Sequence, residues 1–289
     1  MNRRHAISTS AASFAALSIG ARTTSALGNT LESAMRFGLV TYQWGKDMDL
    51  PTLISTCEKS GVAGLELRTQ HKHHVEPSLT ASERTEVRKR FADSPVELVG
   101  YGSNCEFHSA DPLKVRENIE LAKAYVRLMH DCGGTGVKVK PNGFSKELSR
   151  EATIEQIGKA LNEVAEYAQG YGQRIRVEVH GAGTQELPAM RDIFRVADHN
   201  NVFVCWNCND QDLNGDGLEA NFKMVKGRFG DTVHVRELNI GEYPYAQLMK
   251  LFLGMDYSGW ILLEARTEPA DKVAALIEQR KVFQQMTQG

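Results

Sequence analysis

The chain has no surplus of positive charge, no basic stripe and too few cysteines for a disulfide framework. Lysine and arginine number 34 against 36 aspartates and glutamates, a formal net charge of -2. Nothing global draws a phosphate backbone, so nucleic acid is not an expected partner. The five cysteines, Cys57, Cys105, Cys132, Cys205 and Cys208, are odd in number and irregularly spaced, which argues against a stapled scaffold in a chain of this length. Cys205-Trp206-Asn207-Cys208 has C-x-x-C spacing but ends a strand pattern rather than opening a helix, unlike a thioredoxin-type redox motif. No strand pattern is followed by G-x-G-x-x-G, which counts against the alternative of an open doubly wound sheet. There is no repeat shorter than a strand-helix unit and no linker. The uncharged stretch from Ala6 to Gly20 is too short and too serine-rich to span a membrane stably.

What is present is ordinary globular composition, 42% hydrophobic and 24% charged over 289 residues, enough to bury one large core. The N-terminus, Asn2-Arg3-Arg4-His5-Ala6-Ile7, leads into small, weakly apolar residues up to Ala21 and a Ser/Thr/Ala segment ending near Ala26. It resembles a twin-arginine export signal, the competing reading being a basic tail on an amphipathic helix. The resemblance implies an exported, extracytoplasmic or periplasmic protein that folds first and so has access to cytoplasmic metal. Residues 1–30 are read as the signal segment and 31–289 as one domain, the mature chain beginning around Leu27 to Glu32.

From Met35 onward, short apolar runs alternate with longer stretches of helical period. Strands are predicted at Phe37 to Thr41, Gly64 to Arg68, Val96 to Tyr101, Gly136 to Lys140, Ile175 to His180, Val202 to Asn207, Thr232 to Glu237 and Trp260 to Ala265. Helices are predicted at Leu50 to Lys59, Ser82 to Phe91, Pro112 to His130, Ile154 to Gln169, Leu187 to Ala197, Leu218 to Phe229, Tyr245 to Leu253 and Lys272 to Met286. Gly61, Gly133, Gly170 and Gly230 are expected to cap helices in a left-handed conformation. Eight strand-helix units predict an α/β fold, a single (β/α)8 TIM-type barrel.

Alternation along a strand puts Arg176, Glu178 and His180 on one face and Val177 and Val179 on the other. The apolar face packs against helices, so the charged one faces the lumen. The same logic places Glu66 with Arg68, Lys138 with Lys140, Asn207 with Asn209, His234 with Arg236, and Glu264 with Arg266. Charges at so many strand ends imply mutual pairing, a metal or a polar ligand. They lie at the C-terminal ends, where barrel enzymes place their active sites.

Five segments together are similar to the xylose-isomerase-like superfamily of sugar isomerases and epimerases, which also contains endonuclease IV. They are Gly64-Leu65-Glu66-Leu67-Arg68, Val177-Glu178-Val179-His180-Gly181, Val202 to Asn209, Val233-His234-Val235-Arg236-Glu237 and Ile261-Leu262-Leu263-Glu264. The resemblance runs from Met35 to the end of the chain. It implies one divalent metal, Mn²⁺, Co²⁺, Mg²⁺ or Zn²⁺, held by Glu178, Asn207, His234 and Glu264. It also implies that Glu178 and Glu264 act as an acid–base pair beside a carbonyl, with an enediolate intermediate. Asn207 departs from the family's aspartate, which lowers the expected metal affinity; Asp210, three residues on, stands where the family often has a histidine and is a candidate substitute ligand. Glu66, Arg68, Lys138, Lys140, His180 and Arg236 are candidate substrate contacts, with salt bridges inside the lumen as the competing account. Trp44 and Trp206 offer an apolar floor for a sugar ring or are core. His71, His73 and His74 are placed in a loop at the active face, solvated or forming a lid.

The expected activity is a metal-assisted sugar isomerase or epimerase acting on a small carbohydrate. An exported lyase or hydrolase of 3-keto-glycosides and a non-catalytic sugar binder are the alternatives. A homo-oligomer is left open.

Overall fold

Alternation and helical period resolve into a closed ring of strands wrapped by helices in a computed structural model, which describes residues 34–288. The twin-arginine segment lies outside the described residues. In chain order the elements are β1 (Arg36–Val40), α1 (Leu50–Ser60), β2 (Gly64–Arg68), α2 (Ala81–Ala92), β3 (Glu97–Gly102), α3 (Pro112–Cys132), β4 (Gly136–Val139), β5 (Asn142–Gly143), α4 (Arg150–Gln169), β6 (Arg174–Glu178), β7 (Gly181–Ala182), α5 (Leu187–Val196), β8 (Val202–Asn207), α6 (Leu218–Val225), β9 (Phe229–Val235), α7 (Tyr245–Leu253), β10 (Trp260–Leu263) and α8 (Lys272–Thr287). Eight of the strands close in the order β1-β10-β9-β8-β6-β4-β3-β2, and every pairing is parallel. The predicted fold class holds. No helix among the described residues is long and apolar enough to cross a membrane.

Local chemistry sets the element ends. Asp49 caps α1 by accepting from the Thr52 N–H, and Thr80 with Glu83 forms a capping box on α2, each satisfying amides that a helix start leaves open. Gly61 and Gly133 end α1 and α3 with φ of 68° and 90°, as expected of left-handed caps. Gly170 does not, since its φ is -62°. Gly230 is no cap at all: β9 starts at Phe229, three residues before the predicted strand, and takes the glycine in. The five cysteines are free and buried.

The lumen is filled in layers. At its N-terminal end the Arg176 guanidinium, fully buried, bonds Asp231 Oδ1 and Oδ2 at 2.9 Å, Val99 O at 3.0 Å and Thr135 Oγ1 at 2.7 Å. Gly100 and Gly136 make room for it, because a Cβ on either would strike the guanidinium. Val40, Val99, Trp260 and Leu262 form an apolar layer. The remaining charged side chains lie at the C-terminal mouth.

A short ladder that the sequence pattern does not reveal pairs β5 with β7 and ties together the loops that follow β4 and β6. Asn142 and Gly181 have φ of 62° and 100° there, and a Cβ on residue 181 would run into the Asn142 backbone. Two residues carry too little pattern to register as a strand.

Candidate active site

Glu178 ends β6 at the centre of the mouth, almost fully buried. Its Oε2 accepts from Lys138 Nζ at 2.5 Å and its Oε1 from Asn207 Nδ2 at 3.0 Å. His234, with no exposed surface, stands between three carboxylates. Its Nε2 is 3.1 Å from Glu66 Oε1, and its Nδ1 is 3.6 Å from Glu178 Oε1 and 3.9 Å from Glu264 Oε2. None of these reaches hydrogen-bond geometry, so both ring nitrogens and both Glu66 oxygens are buried without a hydrogen-bond partner among the described residues. Glu264 stands just past β10, its Oε1 bonded to Arg68 Nη1 at 2.7 Å.

The electrostatics follow from this crowding. Burial opposes ionisation of Glu178, but the Lys138 ammonium and His234 overcome it and hold the carboxyl well below its usual range. Glu66 is likewise disfavoured as an anion by burial, and His234, Lys138 and Arg176 bring it below the ordinary value. Burial works against an imidazolium at His234, yet the Cys205 sulfur, Glu66 and Glu178 raise its proton affinity well above the usual histidine range. Burial and the nearby Lys138 charge lower Lys140, and burial lowers His180. Both are half-buried, and His180 Nδ1 has no hydrogen-bond partner among the described residues.

The structure thus brings together Glu66, Arg68, Lys138, Glu178, Asn207, His234 and Glu264, with Lys140 and His180 beside them. Arg68 does not pair with Glu66, as alternation alone allowed, but crosses to Glu264. Arg236 is half-buried near the Asp212 carboxylate, with its Nε unpartnered among the described residues. Trp44 is only 3% exposed and donates its indole N–H to Thr267 O at 2.8 Å, which joins the loops after β1 and β10. Trp206 is not a floor for a ring. It points out of the barrel, packs against Phe222 and Phe229 and donates to the Tyr243 hydroxyl at 3.2 Å. Arg266 is exposed rather than luminal, and Asp210 is exposed rather than a substitute ligand. Of the loop histidines, His73 is locked: its Nδ1 accepts from the Val75 N–H, so its Nε2 donates to Arg68 O at 2.8 Å. His71 Nδ1 lies 3.2 Å from Thr41 Oγ1, and burial pushes its pKa down to about 4. His74 is exposed.

Sequence reasoning missed Asp212, on the 3₁₀ turn Asp210–Leu213 after β8. Its Oδ2 accepts from the Tyr243 hydroxyl at 2.6 Å and the Asn209 N–H at 3.0 Å, while Oδ1 is unpartnered among the described residues. It also missed Thr41, whose Oγ1 accepts the Arg68 N–H at 2.8 Å, and Glu237, whose Oε1 accepts the Arg266 and Thr267 N–H groups at 3.0 and 2.7 Å.

The donor set fits the expected divalent ion only in part. Ligand atoms of Glu178, His234 and Glu264 lie within 4.8 Å of one another, and an unpartnered imidazole nitrogen facing two carboxylates is an arrangement that an ion can use. The fourth expected ligand does not complete it, because Asn207 turns its amide N–H to Glu178. Both oxygens of Glu178 and one of Glu264 are already engaged, two of the three by a cationic side chain. Lys138 and Arg68 already balance the charges of Glu178 and Glu264, so the complete set departs from what a divalent ion requires.

No curated protein matches the chain in sequence. Among solved structures, the 3-keto-D-glucoside 4-epimerase of E. coli superposes with a TM-score of 0.73 at 12% identity, covering 87% of this chain and 99% of the other. An L-ribulose 3-epimerase gives 0.73 at 15% identity over 88% and 94%, and the IOLI protein with a zinc atom bound gives 0.74 at 15% identity over 88% and 98%. These likenesses share the barrel. The model of the xylose isomerase-like TIM barrel family matches residues 54–286, and this chain belongs to that family.

Proposed function

We propose that the protein is a sugar isomerase or epimerase that moves a proton at a carbon next to a carbonyl. The observation that carries the reading is the pair of carboxylates, Glu178 and Glu264, set on one side of a buried imidazole at 3.6 and 3.9 Å. A carboxylate oxygen facing that space can remove a proton from a carbon and return it at a neighbouring position, a role open to Glu264 Oε2, whereas Glu178, an anion bonded at both oxygens, takes up a proton only as Lys138 or Asn207 releases one of them. Glu264 is the more open of the two, with 12% of its side chain exposed against 3% for Glu178, and is assigned the first proton removal. The charge that develops on the carbonyl oxygen is met by Lys140, Arg68 and His180, which are half-buried at the same mouth. Fixed donors in a partly desolvated site stabilise such an oxyanion far better than water does.

The substrate class is a small keto sugar or keto-glycoside, in keeping with superposed structures named as ketose 3-epimerases and a 3-keto-D-glucoside 4-epimerase. No step is assigned to a metal. Chromatography of products from a panel of ketoses and 3-keto-glycosides tests the proposal: a new epimer or aldose supports it. A released aglycone would instead point to β-elimination, and unchanged substrate across the panel would point to a binding protein.

A further inference from the structure

The floor of the site holds positive charge on a carboxylate that a divalent ion would need. Lys138 Nζ has no exposed surface and donates to Glu178 Oε2 at 2.5 Å, its only acceptor among the described residues. Lys138 thus neutralises Glu178 from Oε2, whereas the His234 Nδ1 that would share an ion faces Oε1 at 3.6 Å. Oε1 itself is taken by the Asn207 amide. An aspartate at 207 could not make that bond; it would set two carboxylates side by side about where the amide now donates at 3.0 Å. Asparagine is therefore the residue that suits a floor already neutralised by lysine. Arg68 does for Glu264 what Lys138 does for Glu178.

We propose that Lys138 stands in for the divalent ion: its ammonium, with the Asn207 amide, supplies the fixed positive potential at Glu178, and the site is assembled without a metal. Lys138 is a positioning residue here, since it acts through Glu178. The claim that the metal-free site is also the working one rests on the proton-transfer reading above; the claim about ion binding does not.

The test is Mn²⁺ binding to the full chain after chelator treatment, followed by electron paramagnetic resonance of the free ion and by thermal unfolding with and without Mn²⁺ or Zn²⁺. The wild type is expected to show no stoichiometric binding at ~0.1 mM ion and no ion-dependent rise in Tm. Lys138→Met is expected to gain binding by about a hundredfold or more, because the buried charge that neutralises Glu178 has been removed. Asn207→Asp, which keeps the lysine, provides a second variant and is expected to gain weaker binding. One equivalent of ion on the wild type with a raised Tm overturns the assignment, as does a failure of both variants to gain binding; if neither variant folds, the wild-type titration alone decides. A metal-free, stable wild type that exchanges no proton with any sugar would sink the isomerase reading and leave the charge substitution standing.

Discussion

Arg68, at the end of β2, reaches past β1 to donate to Glu264 Oε1 at 2.7 Å, a contact between residues 196 apart in the chain. The arginine is itself fixed on both sides of its backbone, by Thr41 Oγ1 on its N–H and His73 Nε2 on its carbonyl, each at 2.8 Å. One oxygen of Glu264 is therefore occupied and the other is left beside His234, which sets the direction from which that carboxylate can act as a base.

Arg68→Met is expected to lower kcat/KM about 10²-fold, the scale of one lost charge-assisted hydrogen bond of ~2–3 kcal/mol. Arg68→Lys should recover part of this, since an ammonium keeps the charge and loses the planar fork. Steady-state kinetics of the three proteins check it. Equal activity in all three would show that Glu264 needs no orienting partner.

Glu178→Gln and Glu264→Gln should each reduce turnover by about 10²–10⁴, but they should differ in stability. The first leaves the buried Lys138 ammonium unpaired, at a cost of about 3–5 kcal/mol. The second leaves an arginine that is 16% exposed and should cost clearly less. Adding Lys138→Met to Glu178→Gln should restore much of the stability and none of the turnover, which denaturant titration and kinetics together would show.

Burial raises the Asp212 carboxyl from 3.8 to about 7. An unfolded chain gives up this proton near pH 4, whereas the folded chain keeps it until about pH 7. Between those values the folded state binds more protons, so this residue's contribution falls as pH rises through that window and is level above it. The full loss is on the order of 4 kcal/mol for a shift of this size. Asp212→Asn keeps an acceptor for Tyr243 and Asn209, so it should be more stable than the wild type at pH 8 and no more stable at pH 4. Unfolding free energies measured at both values check the difference; a pH-independent gap between the two proteins contradicts it.

Gly100→Ala should destabilise the barrel by about 1–3 kcal/mol, because the new Cβ meets the Arg176 guanidinium and lies 2.5 Å from Gly136 O. The collision lies one layer below Glu178, with Gly100 in register with Glu66, so protein that folds should lose far less turnover than stability. Differential scanning calorimetry with kinetics at a low temperature separates the two effects.

Strand alternation makes the lumen legible in the sequence, since a charged residue opposite valines can face only inward; Glu178, Lys138, His234 and Glu264 all follow that rule. The same rule turns Trp206 outward once Asn207 is turned in, so its place against Phe222 follows from the alternation and matches the core alternative rather than the sugar floor. Partner choice is not readable in this way. Glu66 and Arg68 share one strand face, yet Glu66 lies against His234 of β9 and Arg68 bonds Glu264 just past β10, because neighbours are set by barrel closure and the stagger between strands. Asp212 and the β5–β7 ladder leave no trace because a single 3₁₀ turn and two paired residues are shorter than any period. Glycines carry the same ambiguity: Gly61 and Gly170 look alike in sequence, and only the chain's path beyond the helix decides whether φ becomes positive.

The most direct test of the central claim is incubation of the full chain with a keto sugar or 3-keto-glycoside in D₂O, followed by proton NMR. The account predicts deuterium entering at a carbon next to the carbonyl in the presence of chelator, and the loss of that exchange in both Glu178→Gln and Glu264→Gln. Absence of exchange across the substrate panel, or exchange that survives both substitutions, would contradict it.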